Sequence, residues 1–309
     1  MTIRRRTGFT PIEILAVISI LGILIALLLP AIQSVRSSAA NSSCQNKMRQ
    51  IGLAFHGFEG ARHHFPGAAT EVAPGVKHNW ATYLLPYLEA NEVYRQYDFA
   101  INWQAAANLP ATRTTVPVFL CPANSTAPRF DTRVGGAAST PKAVSDYAPI
   151  TAVHSFLSVH LGFTPATFPV VNRVGAIGSD TVTNVEQIRL SDMIDGTSRT
   201  IMLVEDTDRP NVWRKQNLAA GNVGGAGWAD ANSGFDLHGT DKATALATRG
   251  SCLINCHNSN EIYSFHRSGC NFLMCDGSVH PLRREIDPFV LIALVTRRNS
   301  DRTGSPADW

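Results

Sequence analysis

The chain has 309 residues and carries 27 Lys+Arg against 24 Asp+Glu, a formal charge of +3. Arg4, Arg5 and Arg6 supply that whole excess, so beyond them basic and acidic residues balance at 24 each, and nothing in the sequence reads as a nucleic-acid footprint. The 23 Gly and 17 Pro are ordinary usage, which excludes a low-complexity chain, and the length suits one sizeable domain or two small ones beyond an N-terminal anchor.

The first element is an almost wholly apolar run from Pro11 to Pro30, preceded by three arginines and interrupted by one carboxylate, Glu13. A hydrocarbon layer of about 30 Å needs roughly 20 apolar helical residues, which this run supplies. A secretory signal has a shorter core and an A-x-A-like cleavage site, and none follows Leu29. A plain anchor with its arginines on the cytoplasmic side fits the length and flanks. It leaves Glu13 unexplained, because an ionisable group in lipid is costly and normally has a partner.

The residues Gly8-Phe9-Thr10-Pro11-Ile12-Glu13 resemble the processing motif of type IV prepilins and pseudopilins. That family has a short basic leader ending in Gly, then Phe, then Glu at the fifth position after the cut. The resemblance implies cleavage between Gly8 and Phe9 by a prepilin peptidase, N-methylation of the Phe9 amine, and insertion in the inner membrane. The N-terminus would be cytoplasmic and the rest periplasmic or on a surface filament. Glu13 then neutralises a Phe9 ammonium, on its own chain or on a neighbouring pilin-like subunit. Pro11 stands where the family usually has Leu; the first helical turn tolerates proline.

Past Pro30, apolar or small residues recur at Ile32, Val35, Ala39, Cys44, Met48, Ile51, Phe55 and Phe58. Spacings of three and four predict that the helix continues as an amphipathic one. It would run from about Phe9 to Phe58, kinked at Pro30, and end at Gly57, Gly60 and Phe65-Pro66-Gly67. The expected organisation is a leader over 1–8, a membrane half over 9–30, an amphipathic half over 31–60 and a β-rich extracytoplasmic head over 61–309. The fold class is α+β, a spine helix followed by a mostly antiparallel head, as in pilins.

Within the head, Trp80 to Leu88 predicts a short helix or strand, and Val116 to Pro122 a short extended piece. Asn124 to Pro141 reads as a loop. Asp195-Gly196-Thr197-Ser198 marks a turn, and Thr200 to Glu205 a buried strand. The glycines of Gly221 to Gly227 mark a loop or bulge. Cys270 to Cys275 and Ser278 to Leu282 flank Asp276-Gly277, which predicts a hairpin with a two-residue type I′ turn. Asp287-Pro288 caps a short buried helix ending near Arg297 or Arg298.

SDYAPI at 145–150, SDMIDGTSRTIMLVE at 191–205, GWADANSGFDLHGT at 227–240 and NEIYSFHRSGCNFLMCDGSVHPL at 260–282 resemble the prepilin-like proteins of the domain of unknown function 1559, a family expanded in planctomycetal bacteria. The end motif of that family matches here at His266, Gly269, Asn271, Asp276, Gly277, Ser278 and Val279. Ser268 and His280 depart from its Gly and Arg. The resemblance implies pilin-like processing and an extracytoplasmic head, and no ligand or reaction.

The six cysteines, Cys44, Cys121, Cys252, Cys256, Cys270 and Cys275, would lie in an oxidising space. They allow 15 pairings, and at least one bridge is expected within Cys252 to Cys275. The last four could also be read as a zinc site, although structural zinc favours tighter pairs. His266 with Asp276 or Cys270 has the residue types of a catalytic pair, but the local sequence reads structurally, with His266 and Asn271 bonding backbone at a strand edge. No G-x-S-x-G elbow, H-E-x-x-H pair or P-loop occurs, so no enzyme is expected. Asp230, Asn232 and Asp236 put oxygen ligands on one glycine-flanked loop, a candidate calcium site; no other cofactor is expected. The expected function is a major or minor subunit of a type IV pilus-like or type II secretion pseudopilus filament. The rival is an anchored surface binder for a solute or polysaccharide, with Trp80, Trp103, Trp213 and Trp228 as stacking candidates.

Overall fold

The computed structural model describes residues 11–124, 129–132, 141–162, 173–180, 187–245 and 250–298. One helix, α1, runs from Pro11 to Arg62 with Pro30 inside it, about 78 Å at 1.5 Å per residue. Every side chain from Pro11 to Arg36 is exposed. Burial begins at Cys44 and continues through Met48, Ile51, Phe55 and Phe58. Two stripe residues expected to pack on the head, Ile32 and Val35, stay 52% and 67% exposed. The amphipathic half thus meets the head later than its spacing suggests, and α1 outlasts Gly57 and Gly60 to end at Arg62.

The head is built on a four-stranded antiparallel sheet ordered Val279–Leu282, Cys270–Met274, Ile201–Glu205 and Tyr147–Ala148. Its two middle strands are buried along their whole length, so both faces need cover. Side chains alternate across a strand. Leu273 accordingly packs with α1, Trp80 and Phe119, while Phe272 and Met274 pack with Leu291 and Leu294 of the terminal helix Pro288–Val295. Smaller pairings surround this sheet. Two of them are parallel, Ile150–Val153 with Phe235–Leu237 and Ala69–Ala73 with Ser179–Asp180. The fold is α+β, as expected.

Trp80–Leu84 is a helix that tightens into a 3-10 turn at Leu85–Leu88. Val116 to Pro122 is not an extended piece: Pro117–Phe119 forms a 3-10 turn, with Pro117 at its first position, where a missing N–H costs nothing. The hairpin forms, but not through a type I′ turn. Gly277 has a positive φ of 85° and Asp276 does not. The Gly277 N–H bonds Met274 O, and the Met274 N–H bonds Ser278 O, the pattern of a type I turn followed by a glycine bulge. Gly269 (φ 123°) begins the hairpin where any Cβ would strike the Leu282 carbonyl, the close backbone approach expected there. The terminal helix starts at its Asp287 cap and stops at Val295, short of the buried Arg297.

Candidate functional site at the joint of spine and head

Where α1 enters the head, Asn41 and, one turn further on, Cys44 and Gln45 make contact with it. Cys44 is bonded to Cys121 across 77 residues, with Cα atoms 5.2 Å apart. Next to that bridge, Lys47 reaches over the turn that carries Cys121, its Nζ donating to Pro117 O at 2.9 Å and Leu120 O at 2.7 Å. Loss of water lowers the Lys47 pKa, opposed by the charge of Asp146. Asp146 in turn accepts the Cys121 N–H at 2.8 Å.

Glu205, fully buried at the end of its strand, organises the other side. Its Oε1 accepts from His266 Nε2 at 3.0 Å and from Asn271 Nδ2 at 3.1 Å, and its Oε2 accepts the Asn271 N–H at 2.8 Å. Asn271 passes the contact to the spine. Its Nδ2 also donates to Asn41 Oδ1 at 2.9 Å, and its Oδ1 accepts from Gln45 Nε2 at 3.1 Å. Cys121 Sγ lies 3.4 Å from His266 Nε2 and 3.8 Å from Glu205 Oε1. His266 and Asn271 therefore serve a buried carboxylate and the spine, rather than backbone at a strand edge. Glu205, Asn41 and Gln45 were not singled out from the sequence. The signal for Glu205 was present: a carboxylate that prolongs an apolar strand into the core needs a partner.

Among the described residues this is the one group whose ligand atoms, from Cys44, Cys121, Glu205 and His266, lie within 4.8 Å of one another. With both sulfurs joined in a disulfide, only Glu205 and His266 keep ligating atoms. The other cysteines assemble no zinc site: Cys252 is bonded to Cys256, while Cys270 and Cys275 are buried free thiols. The bridge expected within Cys252 to Cys275 is present. Burial pushes both free thiols well up, away from the nucleophilic thiolate form. Gly8 and Phe9 lie outside the described residues. Glu13 sits exposed in the first turn of α1. Asp230 accepts from the Asn232 N–H at 2.8 Å, whereas Asp236 accepts from Thr151 Oγ1 at 2.6 Å. Trp80, Trp103 and Trp228 are buried core residues and present no face to a sugar. Trp213 is half-buried and donates to Asp208.

Behind the joint lies a buried ionic network. Arg129 holds Asp146 at 2.6 Å and approaches Asp208 at 3.4 Å. Asp206 stands 3.1 Å from Arg209 Nε, both fully buried, yet neither group has hydrogen-bond geometry there. Burial raises the Asp206 carboxyl to about 7, against the pull of Arg209 and with a push from Asp146. Burial also drives Glu261 well up, reinforced by Asp206. A carboxyl raised on folding binds protons more tightly in the native state. Its stabilising effect is complete below the ordinary carboxylate range and disappears as pH rises to about 7. Stability should therefore fall between pH 5 and pH 8, and Asp206→Asn should flatten the decline; the two units from pH 5 to about 7 correspond to at most about 3 kcal/mol. Urea denaturation at the two pH values checks this, and equal wild-type stabilities would refute it.

A family model described as a protein of unknown function (DUF1559) matches residues 33–288. No curated protein and no solved structure matches the chain.

Proposed function

The chain belongs to the DUF1559 family, whose model spans residues 33–288 of its 309, and from that premise we propose that it is a prepilin-like structural subunit, major or minor, of a type IV pilus-like or type II secretion pseudopilus filament. The carrying observation is the outer half of α1. From Pro11 to Arg36 every side chain is exposed, and the stretch is long and apolar enough to cross a membrane. Such a surface is stable only under lipid or against other apolar helices. The joint complements it: a disulfide and a relay of amides hold the spine rigidly to the head, as a subunit that transmits position along a polymer requires. The two bridges fit an oxidising compartment outside the inner membrane.

In this reading prepilin peptidase cuts after Gly8, and the mature chain begins with N-methyl-Phe9. Mass spectrometry of surface-exposed protein should find that terminus, and finding Met1 or Thr2 there would rule the processing out. A bulky side chain in place of Gly8 should leave the leader uncut, because it would occupy the space the protease needs at the bond. The filament itself is tested by imaging purified surface fibres and identifying their subunits. A chain found only as membrane-bound monomer would overturn the filament reading in favour of an anchored binder.

A further inference from the structure

The C-terminal hairpin lies along the spine with its open end toward the membrane. Asn271, near that end, bonds Asn41 and Gln45. At the other end, the Gly277 Cα lies 3.3 Å from where a Cβ on Gly52 would stand. The turn therefore points away from the apolar half of α1, and the segments just outside the Cys270–Leu282 pair point down toward it.

Those two segments carry Arg267 on one side and Arg283 and Arg284 on the other, all exposed. Together with His266 and Ser268 they line an open cleft of about 600 Å³ whose one carboxylate is Glu285. A smaller cleft of about 180 Å³ joins His266, Arg267 and Ser268 to Ser34, Ser37, Ser38 and Asn41 of the spine. This contact fixes the height of the arginines. The apolar run gives way to polar residues after Ile32, so Ser34 to Ser38 rise roughly 3–9 Å beyond it at 1.5 Å per residue. The headgroup layer on each side of a bilayer is about 5–8 Å deep. Arg36, also exposed, stands at the same level of the helix.

We propose that this arginine cleft binds the phosphates of anionic phospholipids and thereby sets the tilt of the head on the membrane. The proposal rests on the reading that the outer half of α1 lies in lipid. A guanidinium presents paired N–H donors that match phosphate oxygens. Each arginine near an anionic leaflet contributes roughly a fivefold gain in attraction, and the effect is screened by salt.

The test uses the full-length protein in nanodiscs of phosphatidylcholine alone or mixed with phosphatidylglycerol. Native mass spectrometry reads the lipids retained, and hydrogen exchange reads residues 266–269 and 283–285. We expect phosphatidylglycerol to be enriched about tenfold or more over its share of the disc, with slower exchange at both segments. High salt and the charge reversal R267E/R283E/R284E should abolish both effects. Inorganic phosphate added to phosphatidylcholine discs should not reproduce the protection. If it does, the cleft is a site for a soluble anion and the docking proposal falls. Equal exchange in the two kinds of disc overturns it from wild type alone, whether or not the variant folds. Protein that fails to co-elute with discs at all overturns the membrane reading as well.

Discussion

Replacing Cys44 and Cys121 together by serine should lower stability by about 4.5 kcal/mol at 25 °C, the chain-entropy value for a loop of this length. The bridge spans 77 residues, whereas Cys252–Cys256 spans 4. On the same relation the shorter bridge contributes about 1.9 kcal/mol, so the two double variants should differ by roughly 2.6 kcal/mol. Urea denaturation of both, in detergent and without reductant, measures the difference. Equal losses would show that loop closure is not what the long bridge contributes. The serine variant also leaves two small polar groups beside Glu205 and His266, so its loss should not fall below the entropic figure.

Glu13→Gln should leave the protein processed and membrane-resident yet depleted from fibres by roughly a hundredfold to a thousandfold or more, since breaking a buried ion pair costs about 3–5 kcal/mol. The variant keeps the shape of the side chain and removes its charge. On the proposed processing, cleavage after Gly8 would create an ammonium at Phe9, four residues before Glu13 in the sequence, for Glu13 to neutralise on its own chain or on a neighbouring subunit. Membrane insertion of a single chain depends little on that pair, while burial of the first turn among other apolar helices depends on it strongly. Sheared surface fibres and inner membrane, fractionated side by side for wild type and variant, give the answer. A variant that enters fibres as well as wild type does would remove the charge-pair account of Glu13.

The spine was legible because its signals are local. An apolar run of membrane length and a stripe at three-and-four spacing need no tertiary information. What the stripe does not encode is whether anything covers it, which is why Ile32 and Val35 read like Met48 and Phe55 but remain in the open. The hairpin was legible for the same reason, though its turn type was not. Asp-Gly suits two turns, and here the Asp276 N–H bonds Thr197 O, a partner some eighty residues away. The joint was mostly hidden. Cys44 and Cys121, or Glu205 with His266 and Asn271, are brought together only by sheet pairing and by the docking of α1. The shorter bridge, between cysteines four residues apart, lay within the segment where one was expected.

The position of Cys44 at the very edge of the buried stretch has a mechanical consequence. Force applied along the spine meets its first covalent tie to the head at this residue, and the disulfide hands it directly to Cys121 in the interior of the fold. The 18 spine residues beyond it, from Gln45 to Arg62, are shielded from the load. In the oxidised protein the helix cannot be peeled from its sheet one turn at a time; separation demands that a covalent bond break or that the head unravel from Cys121. Reduction moves the load onto the amide contacts of Asn41 and Gln45, which open singly and at far lower force. Strength under tension is therefore governed by the redox state of one bridge rather than by the area of the interface it guards.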